Sequence, residues 1–506
     1  MEAIVMLTEF MDNISANSIE TIFRRIENIN KELNEQYFTP MPIANYMSSS
    51  FKPIKKSTIQ FMDAGAGIGN LTAAFIAFVC GWKDKPKKIV AELYEIDDTL
   101  TPELKRNMDL CQDLCNQNQI VLEVVIKNED FIESIINDLN NKEKSLDYII
   151  LNPPYKKLST NSRHKDMMLR VGIDVPNYYA AFVSLSYRLL KERAQLVCII
   201  PRSFCNGQYF KSFRSDLISN IKIKKIHLFE SRKDLFYDDV LQETLIMHIT
   251  RENQQLNDNI LITTSIKDDF SKMVTFKERF DNIVFPTDNE KIIRIINEND
   301  KEIVERMHSL PCKLEDLGIN VSTGPVVDFR ENEGLLSFDG NLFSNPIIYP
   351  ENFVNGFVRW PIAGRKPGYL IEDNSNTKRF RPAGIYVVVK RMSSKEEDKR
   401  IVASVYNSEQ IGQMRVAFDN KLNYYHISNQ SLGNIDFAKG LSLFLNSTLV
   451  DFYFRTFSGS TQVNVSDLKG LYYPKYSDLE LLGQAYQDEL PDQEEIYEIM
   501  QRILFV

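Results

Sequence analysis

The sequence between residues 58 and 249 alternates short apolar runs with segments of helical periodicity. Apolar runs of this length are typical of buried strands, and their alternation with helices predicts an α/β fold, a doubly wound and mostly parallel sheet. We expect seven strands, the last two paired as a hairpin, at 58–63, 89–95, 121–126, 146–151, 195–200, 223–229 and 242–249.

A chain of 506 residues is too long for one hydrophobic core and should form more than one domain. The alternation stops near residue 290, where short mixed segments rich in Asn, Ser and Gly take over. We therefore predict a first domain over residues 1–290 and a second, α+β domain over 291–506, connected within 251–302. Helices are expected at 18–36, 43–47 and 436–456, and near the C-terminus.

The composition, with 25% charged and 43% hydrophobic residues, is typical of a soluble globular protein. No stretch approaches the length of a membrane span, and the acidic Glu2 and Glu9 without a basic segment do not resemble a signal peptide. The six cysteines form no CxxC pair and the five histidines are scattered, which indicates reduced thiols and no metal site. We expect a cytoplasmic protein.

Asn152, Pro153, Pro154 and Tyr155 directly follow the apolar run 146–151. Because two prolines end a strand abruptly, the tetrapeptide is expected at the carboxyl end of a parallel strand, where open α/β sheets place their ligands. A simple strand-to-loop stop made of turn residues is the alternative interpretation.

The tetrapeptide has the groups needed to activate a planar amino nitrogen, which is a poor nucleophile because its lone pair is delocalised into the ring. The Asn152 side-chain oxygen and the Pro153 carbonyl are two acceptors that can hold both N–H groups and aim the lone pair at a methyl donor. The prolines fix these acceptors in advance. Tyr155 offers a ring on which a flat heterocycle can stack. We predict methyl transfer to such a nitrogen.

Acidic residues and glycines stand at the ends of the three predicted strands before the tetrapeptide. A glycine loop lets a backbone approach a ligand at a helix N-terminus, and acids suit ribose hydroxyls and an adenine amino group. S-adenosylmethionine accounts for these features and for the tetrapeptide, whereas a nicotinamide cofactor leaves the tetrapeptide without a purpose. The residues are Asp63, Ala64, Gly65, Gly67 and Gly69 after the first strand, Glu95 and Ile96 after the second, and Asp130 and Phe131 after the third.

With these motifs in this order, the chain resembles the gamma class of DNA adenine-N6 methyltransferases of the type II restriction-modification kind. The resemblance also rests on Phe38-Thr39-Pro40 and on the run 178–182. It implies a seven-stranded, Rossmann-like catalytic domain that binds S-adenosylmethionine, followed by a target recognition domain that binds duplex DNA in a prokaryotic cell. It assigns catalysis to residues 152–155 and donor contacts to Phe38, Thr39, Pro40, Asp63, Ala64, Gly65, Gly67, Gly69, Glu95, Ile96, Asp130, Phe131, Asn152 and Phe182.

The resemblance implies that the target adenine leaves the duplex, because N6 inside the base stack cannot reach a donor at the sheet edge. Tyr155 and Phe236 are the expected stacking partners of the flipped base. The net charge is −9, yet residues 359–400 hold eleven bases against five acids, and local patches set what a surface attracts. The expected DNA-binding residues are Lys156, Lys157, Arg163 and Lys165, in a stretch predicted to be a mobile loop, and Arg359, Arg365, Lys366, Arg379, Arg381, Lys390 and Arg391.

Other functions share the same pocket chemistry. Methylation of RNA adenine or of DNA cytosine N4 is the closest alternative, and Asn152 favours adenine by resemblance only. Glutamine methylation in a protein is a further alternative, although such enzymes are usually shorter and lack a large basic C-terminal module. A DNA-binding subunit without activity is disfavoured because the glycine loop and tetrapeptide are intact. We see no nuclease motif, so cleavage is expected from a separate endonuclease, and one recognition domain permits a monomer.

Overall fold

The computed structural model describes residues 9–16, 38–138, 145–229, 243–296, 300–331, 333–340, 344–362, 364, 366–394, 396–412, 415–459 and 461–505. The chain divides into two compact units, Met1–Ile295 and Ile296–Val506. The functions predicted for the two domains, catalysis for the first and target recognition for the second, stay predictions. Within the described ranges, every helix is too short or too polar to cross a membrane. The helix predicted at 18–36, Phe236 and Arg365 lie outside the described residues.

The first unit is built on a nine-stranded sheet in the order β3-β2-β1-β4-β5-β7-β6-β8-β9. Strands β1 to β5 run parallel to their neighbours within this group, whereas β7 is antiparallel to both β5 and β6. The predicted doubly wound α/β fold is therefore confirmed, and the seven predicted strands correspond to β1 to β7, with β6 and β7 as the antiparallel pair, while the sheet has two further strands. The strands are β1 Thr58–Ala64, β2 Lys88–Tyr94, β3 Val121–Lys127, β4 Leu146–Leu151, β5 Leu190–Pro201, β6 Lys222–Phe229, β7 Thr244–Thr250, β8 Asn259–Ile266 and β9 Asp269–Arg279.

Helices cover both faces of this sheet. Strand β4 is buried along its whole length, as expected of a central parallel strand, and its residues alternate between the two cores. Ile149 and Leu151 belong to one core, and Tyr148 and Ile150 belong to the other. The helices are Met41–Ser49, which confirms the prediction at 43–47, and Asn70–Cys80, Thr101–Gln117, Phe131–Asp138, Arg163–Arg170, Tyr178–Leu189, Lys211–Asn220 and Phe280–Ile283.

Two parts of the first unit differ from the prediction. The connection predicted within 251–302 contains strands β8 and β9. Strand β8 forms there because Ile260 and Ile262 are buried in the core and because the strand pairs with β6. The loop predicted after the tetrapeptide contains the helix Arg163–Arg170. The Ser162 hydroxyl accepts from the Lys165 backbone N–H at 3.2 Å and caps this helix, and Met167 and Met168 are buried.

The second unit mixes short strands with helices, in agreement with the predicted α+β class. Its strands form one sheet in the order β10-β20-β17-β18-β14-β13 and another in the order β11-β15-β12-β19-β16. The strands are β10 Asn320–Thr323, β11 Leu336–Ser337, β12 Ser344–Ile348, β13 Phe353–Val354, β14 Phe357–Val358, β15 Tyr369–Ile371, β16 Phe380–Pro382, β17 Ile385–Lys390, β18 Ala403–Asn407, β19 Arg415–Phe418 and β20 Leu422–His426.

The helix predicted at 436–456 is two helices, since Ser447 interrupts the run and caps the second one. The unit also has helices that the sequence pattern did not predict, among them Asp300–Ser309. Its helices are Asp300–Ser309, Ser408–Ile411, Ile435–Leu445, Thr448–Phe457, Val465–Gly470, Tyr476–Gln484 and Gln493–Leu504.

Candidate active site

A cleft of about 260 Å³ opens at the carboxyl ends of β1 to β4 in the first unit. This edge is where open parallel sheets bind ligands, because the loops that leave the strands converge there. The residues that line the cleft are Phe38, Gly65, Gly67, Tyr94, Glu95, Ile96, Leu100, Glu129, Asp130, Phe131, Asn152, Pro153, Pro154, Lys156, His164, Tyr178 and Phe182.

The glycine loop forms the floor between β1 and the helix Asn70–Cys80. Gly65, Gly67 and Gly69 all have positive φ angles, at 87°, 56° and 89°, which side-chain-bearing residues rarely adopt. A Cβ on Gly67 would touch the Phe38 ring at 3.4 Å, and one on Gly69 would lie 2.8 Å from Met108 Cε. The positive φ angles therefore favour glycine at all three positions, and at Gly69 a side chain would also collide with Met108.

Two acids behind the loop hold its shape. Glu95 accepts from the Gly67 backbone N–H at 2.8 Å with one carboxylate oxygen and from the Asp97 N–H at 2.8 Å with the other. Asp63 lies deeper, where its Oδ2 accepts from the Thr72 hydroxyl at 2.7 Å. Its Oδ1 is buried and has no hydrogen-bond partner among the described residues. Burial, with a smaller effect of the nearby Glu95 charge, raises the pKa of Asp63 to about 7.

This raised pKa predicts a pH-dependent stability. Above pH 4 the unfolded Asp63 is ionised while the folded carboxyl keeps its proton, so the folded state loses stability until pH reaches about 7. We expect Asp63→Asn to raise the melting temperature at pH 8, with a difference from wild type that disappears near pH 4. Melting curves at both values, followed by circular dichroism, measure it. A difference independent of pH would contradict the buried neutral carboxyl.

Aromatic rings form the walls of the cleft. The Phe131 ring lies 4.7 Å from that of Phe182 and 5.2 Å from that of Tyr94, between centroids. Phe38 lies against the glycine loop. Rings at these positions offer faces and edges to a planar group, in a cleft whose polar atoms are few.

Asp130 follows β3 and contacts His164, which the sequence placed only within a basic stretch. The His164 Nε2 lies 3.2 Å from the Asp130 Oδ2, and the His164 Nδ1 lies 2.9 Å from the Tyr178 hydroxyl oxygen. The Asp130 Oδ1 accepts from the Glu133 backbone N–H at 2.9 Å. Burial alone would raise the pKa of Asp130, but the contacts with His164 and Glu133 hold it below its usual value, and the contact with Asp130 raises the pKa of His164.

Asn152 stands at the mouth of the cleft with its amide oriented from both ends. Its Nδ2 donates to the Thr39 Oγ1 at 3.0 Å, and its Oδ1 accepts from the Tyr155 hydroxyl at 3.1 Å. The Thr39 carbonyl accepts from Asn70 at 2.9 Å, which ties this support to the glycine loop. An amide oxygen has two lone pairs and can accept from more than one donor.

The structure brings most predicted donor-site residues together. Thr39, Pro40, Asp63, Ala64 and Gly69 lie behind the cleft wall rather than on it, and Ile96 lines it with 63% of its surface exposed. Tyr94, Leu100, Glu129 and His164 also line the cleft but were not predicted as donor contacts, and Tyr178 belongs to the run 178–182, from which only Phe182 was assigned a contact. Glu129 could have been found from the sequence, because it follows a strand directly, and this position is the signal that identified its neighbours Asp130 and Phe131. His164 and Tyr178 reach the cleft only through the tertiary fold.

Of the predicted DNA-binding residues, Lys156 lines the cleft and Lys157 is exposed beside it. Arg163 and Lys165 pair with Glu133 and Asp174. In the second unit Arg359 is exposed and the Lys390 ammonium lies 5.8 Å from the centre of the Phe353 ring. The remaining described candidates hold contacts within that unit: Lys366 with Glu351, Arg379 with Glu331, Arg381 with Tyr424, and Arg391 with Gln462.

Comparison with known proteins identifies the family. Residues 55–236 match the model of the Eco57I restriction-modification methylase family. The type II methyltransferase M.BsuBI of Bacillus subtilis is 40% identical over 463 residues, which cover 90% of each chain. The chain belongs to the type II methyltransferases. M.PstI of Providencia stuartii, another type II methyltransferase, is 37% identical over 475 residues, covering 93% of this chain and 92% of that one. The solved type ISP restriction-modification enzyme LlaGI aligns with a TM-score of 0.48 at 11% identity, over 92% of this chain and 56% of that one.

The prediction of a restriction-modification methyltransferase is thus confirmed, and S-adenosylmethionine is the methyl donor of such an enzyme. The cleft of this type II methyltransferase fits the donor. The bare glycine loop leaves space beside Phe38, and carboxylates stand after β2 and β3, where ribose hydroxyls and an adenine amino group need acceptors. The sequence also predicted that the protein has no metal site. In the part of the chain that the structure describes, no cluster of metal-ligating side chains occurs.

Proposed function

We propose that this methyltransferase transfers a methyl group from S-adenosylmethionine to N6 of a flipped-out adenine in duplex DNA, as the modification enzyme of a restriction-modification system. The observation that carries the proposal is the Asn152 amide, held by Thr39 and Tyr155 at the mouth of a cleft that fits the donor. The relatives support the wider class, since both are type II methyltransferases.

The chain supplies acceptors rather than a nucleophile. The Asn152 Oδ1 and the Pro153 carbonyl accept the two N–H groups of the target, which concentrates the nitrogen lone pair on the side facing the donor. Bound S-adenosylmethionine supplies an electrophilic methyl carbon. Because Thr39 and Tyr155 fix the amide before the target arrives, little reorganisation is needed during the transfer.

Tyr155 is proposed as the first stacking partner of the target base, and its ring, which is 5% exposed and lies behind the residues that line the cleft, would have to be uncovered when the base enters. Tyr155 follows the prolines, and its ring is itself supported edge-on by Tyr179, with 6.3 Å between centroids. Stacking on such a ring contributes about 1–3 kcal/mol, comparable to the few kcal/mol that unstacking a base costs. Phe236 is proposed as the second ring. The extruded base would thus be held without a covalent link to the protein.

The second unit is proposed as the target recognition domain. Arg359 is exposed, and the Lys390 ammonium lies over the Phe353 ring. We therefore assign phosphate contacts to these two residues first. Arg381 and Arg391, which bond to Tyr424 and Gln462, are assigned to shaping that surface. A separate endonuclease would cut the unmodified sequence.

The test is the product formed in DNA. Purified protein, S-adenosylmethionine with a labelled methyl group and unmodified duplex DNA should yield N6-methyladenine when the digested nucleosides are separated by mass spectrometry. N4-methylcytosine as the product would replace the adenine assignment, and label in RNA of equal sequence but not in DNA would overturn the substrate. Long-read sequencing of DNA from expressing cells should place the mark at one recurring sequence.

A further inference from the structure

We propose that His164 is a positioning residue of the donor site, which holds the Asp130 carboxylate for the donor's adenine and releases a proton when that adenine binds. The inference rests on the proposed function, because it assumes that the cleft takes an adenosyl group. It adds a residue and a proton-coupled step that the tetrapeptide and the glycine loop do not account for.

The position of His164 joins two parts of the site. It stands in the helix Arg163–Arg170, which follows the catalytic tetrapeptide, yet its ring reaches Asp130 at the end of β3. Its side chain is 19% exposed and lines the same cleft as Asn152 and Phe131. Asp130 is thus contacted from two sides, by a hydrogen bond from the Glu133 backbone N–H to Oδ1 and by an ion-pair contact of the His164 Nε2, 3.2 Å from Oδ2 but without hydrogen-bond alignment. A carboxylate held in this way has fewer orientations to lose when a ligand binds.

The surroundings of His164 favour its charged form. Asp130 and Glu133 face the Nε2 at 3.2 Å and 3.6 Å, and Arg163, which pairs with Glu133 at 2.9 Å, opposes them. Tyr178 faces the Nδ1 from the helix Tyr178–Leu189, and Lys156 lines the same cleft. The contact with Asp130 is the largest of the influences that raise the pKa of His164 above its ordinary value.

An adenine amino group that donates to Asp130 competes with His164 for the same negative charge. The ligand also removes water from the ring, and both effects disfavour the imidazolium. The neutral ring keeps the Nε2–H that faces Asp130, while the Nδ1 gives its proton to solvent and then accepts from the Tyr178 hydroxyl, which can rotate to donate. The contact with Asp130 therefore survives the loss of the charge.

The experiment titrates S-adenosylhomocysteine into the full chain by calorimetry at pH 7, in buffers of different ionisation enthalpy. Wild type should release a measurable fraction of a proton on binding. His164→Ala should weaken binding about tenfold and remove the proton release, because the contact with Asp130 is lost. His164→Gln keeps an N–H donor for Asp130, so it should recover most of the affinity without releasing a proton.

His308 offers a matched control, since its Nε2 lies 3.2 Å from the Tyr453 hydroxyl in the second unit. His308→Gln should leave both affinity and proton release unchanged. Wild-type affinity in His164→Ala, or undiminished proton release in His164→Gln, would overturn the inference about His164 and leave the proposed function standing. If His164→Ala does not fold, the proton count of His164→Gln decides. If wild type binds no S-adenosylhomocysteine, the proposed donor is wrong and this inference fails with it.

Discussion

Replacing Asn152 with alanine should reduce methyl transfer about 1,000-fold, the loss seen when one preorganised group that stabilises a transition state is removed. The alanine variant has no side-chain acceptor for the target N–H, and the Pro153 carbonyl alone can hold only one of the two. Transfer of a labelled methyl group to duplex DNA under single-turnover conditions measures the chemical step. Binding of the duplex, measured by fluorescence anisotropy, should stay within about threefold, because phosphate contacts dominate affinity.

The variant also loses hydrogen bonds to Thr39 and Tyr155, so its folding needs a separate check. Each bond contributes about 1 kcal/mol, which should lower the melting temperature by only a few degrees. Asn118→Ala is the matched control, since Asn118 also bonds within the first unit, to the Leu114 carbonyl and to Lys85. Unchanged turnover in Asn152→Ala, with unchanged turnover in the control, would refute the acceptor role.

The prediction from sequence succeeded where local pattern and tertiary environment agree. Strand β4 is a continuous apolar run because it is buried on both faces, and the prolines after it end the strand where the cleft opens. Parallel strands bring their carboxyl ends to one edge, so Asp63, Glu95 and Asp130 could be grouped without knowing any contact. The acids of the predicted donor site and Phe131 follow from that one rule of topology, whereas Phe38 and Phe182 were assigned by resemblance.

The prediction failed where a residue's role depends on contacts distant in sequence. His164 lies 34 positions from Asp130, and nothing in the intervening sequence indicates that their side chains meet. Strand β8 was missed because its buried residues, Ile260, Ile262, Thr263 and Ser265, form neither a regular alternation nor a continuous apolar run. In the second unit several strands have two or three residues, too few for a period to show. The contacts of Arg381 with Tyr424 and of Arg391 with Gln462 join residues far apart in the sequence, so no local pattern indicates them.

Two helices of the second unit pack through glycines so closely that alanine cannot be accommodated. In the helix Ile435–Leu445, a Cβ on Gly440 would lie 1.7 Å from the Leu479 carbonyl oxygen, and in the helix Tyr476–Gln484 one on Gly483 would lie 1.8 Å from that of Asp436. Both obstacles are backbone atoms, so the helices themselves would have to separate. Such close approach requires residues without side chains at both positions.

We expect Gly440→Ala to lower the free energy of unfolding by about 3 kcal/mol or more, the upper range for overpacking. Alanine favours a helix over glycine by about 1 kcal/mol, which works in the opposite direction but is too small to compensate. Denaturant titration of the full chain gives the change, and hydrogen exchange of peptides from the two helices assigns it to their interface. Gly334→Ala is the control, because a Cβ there meets no atom within 4 Å, and it should change stability by less than about 0.5 kcal/mol. Equal stabilities of the two variants would mean that the helices can move apart at no cost, contrary to the packing seen here.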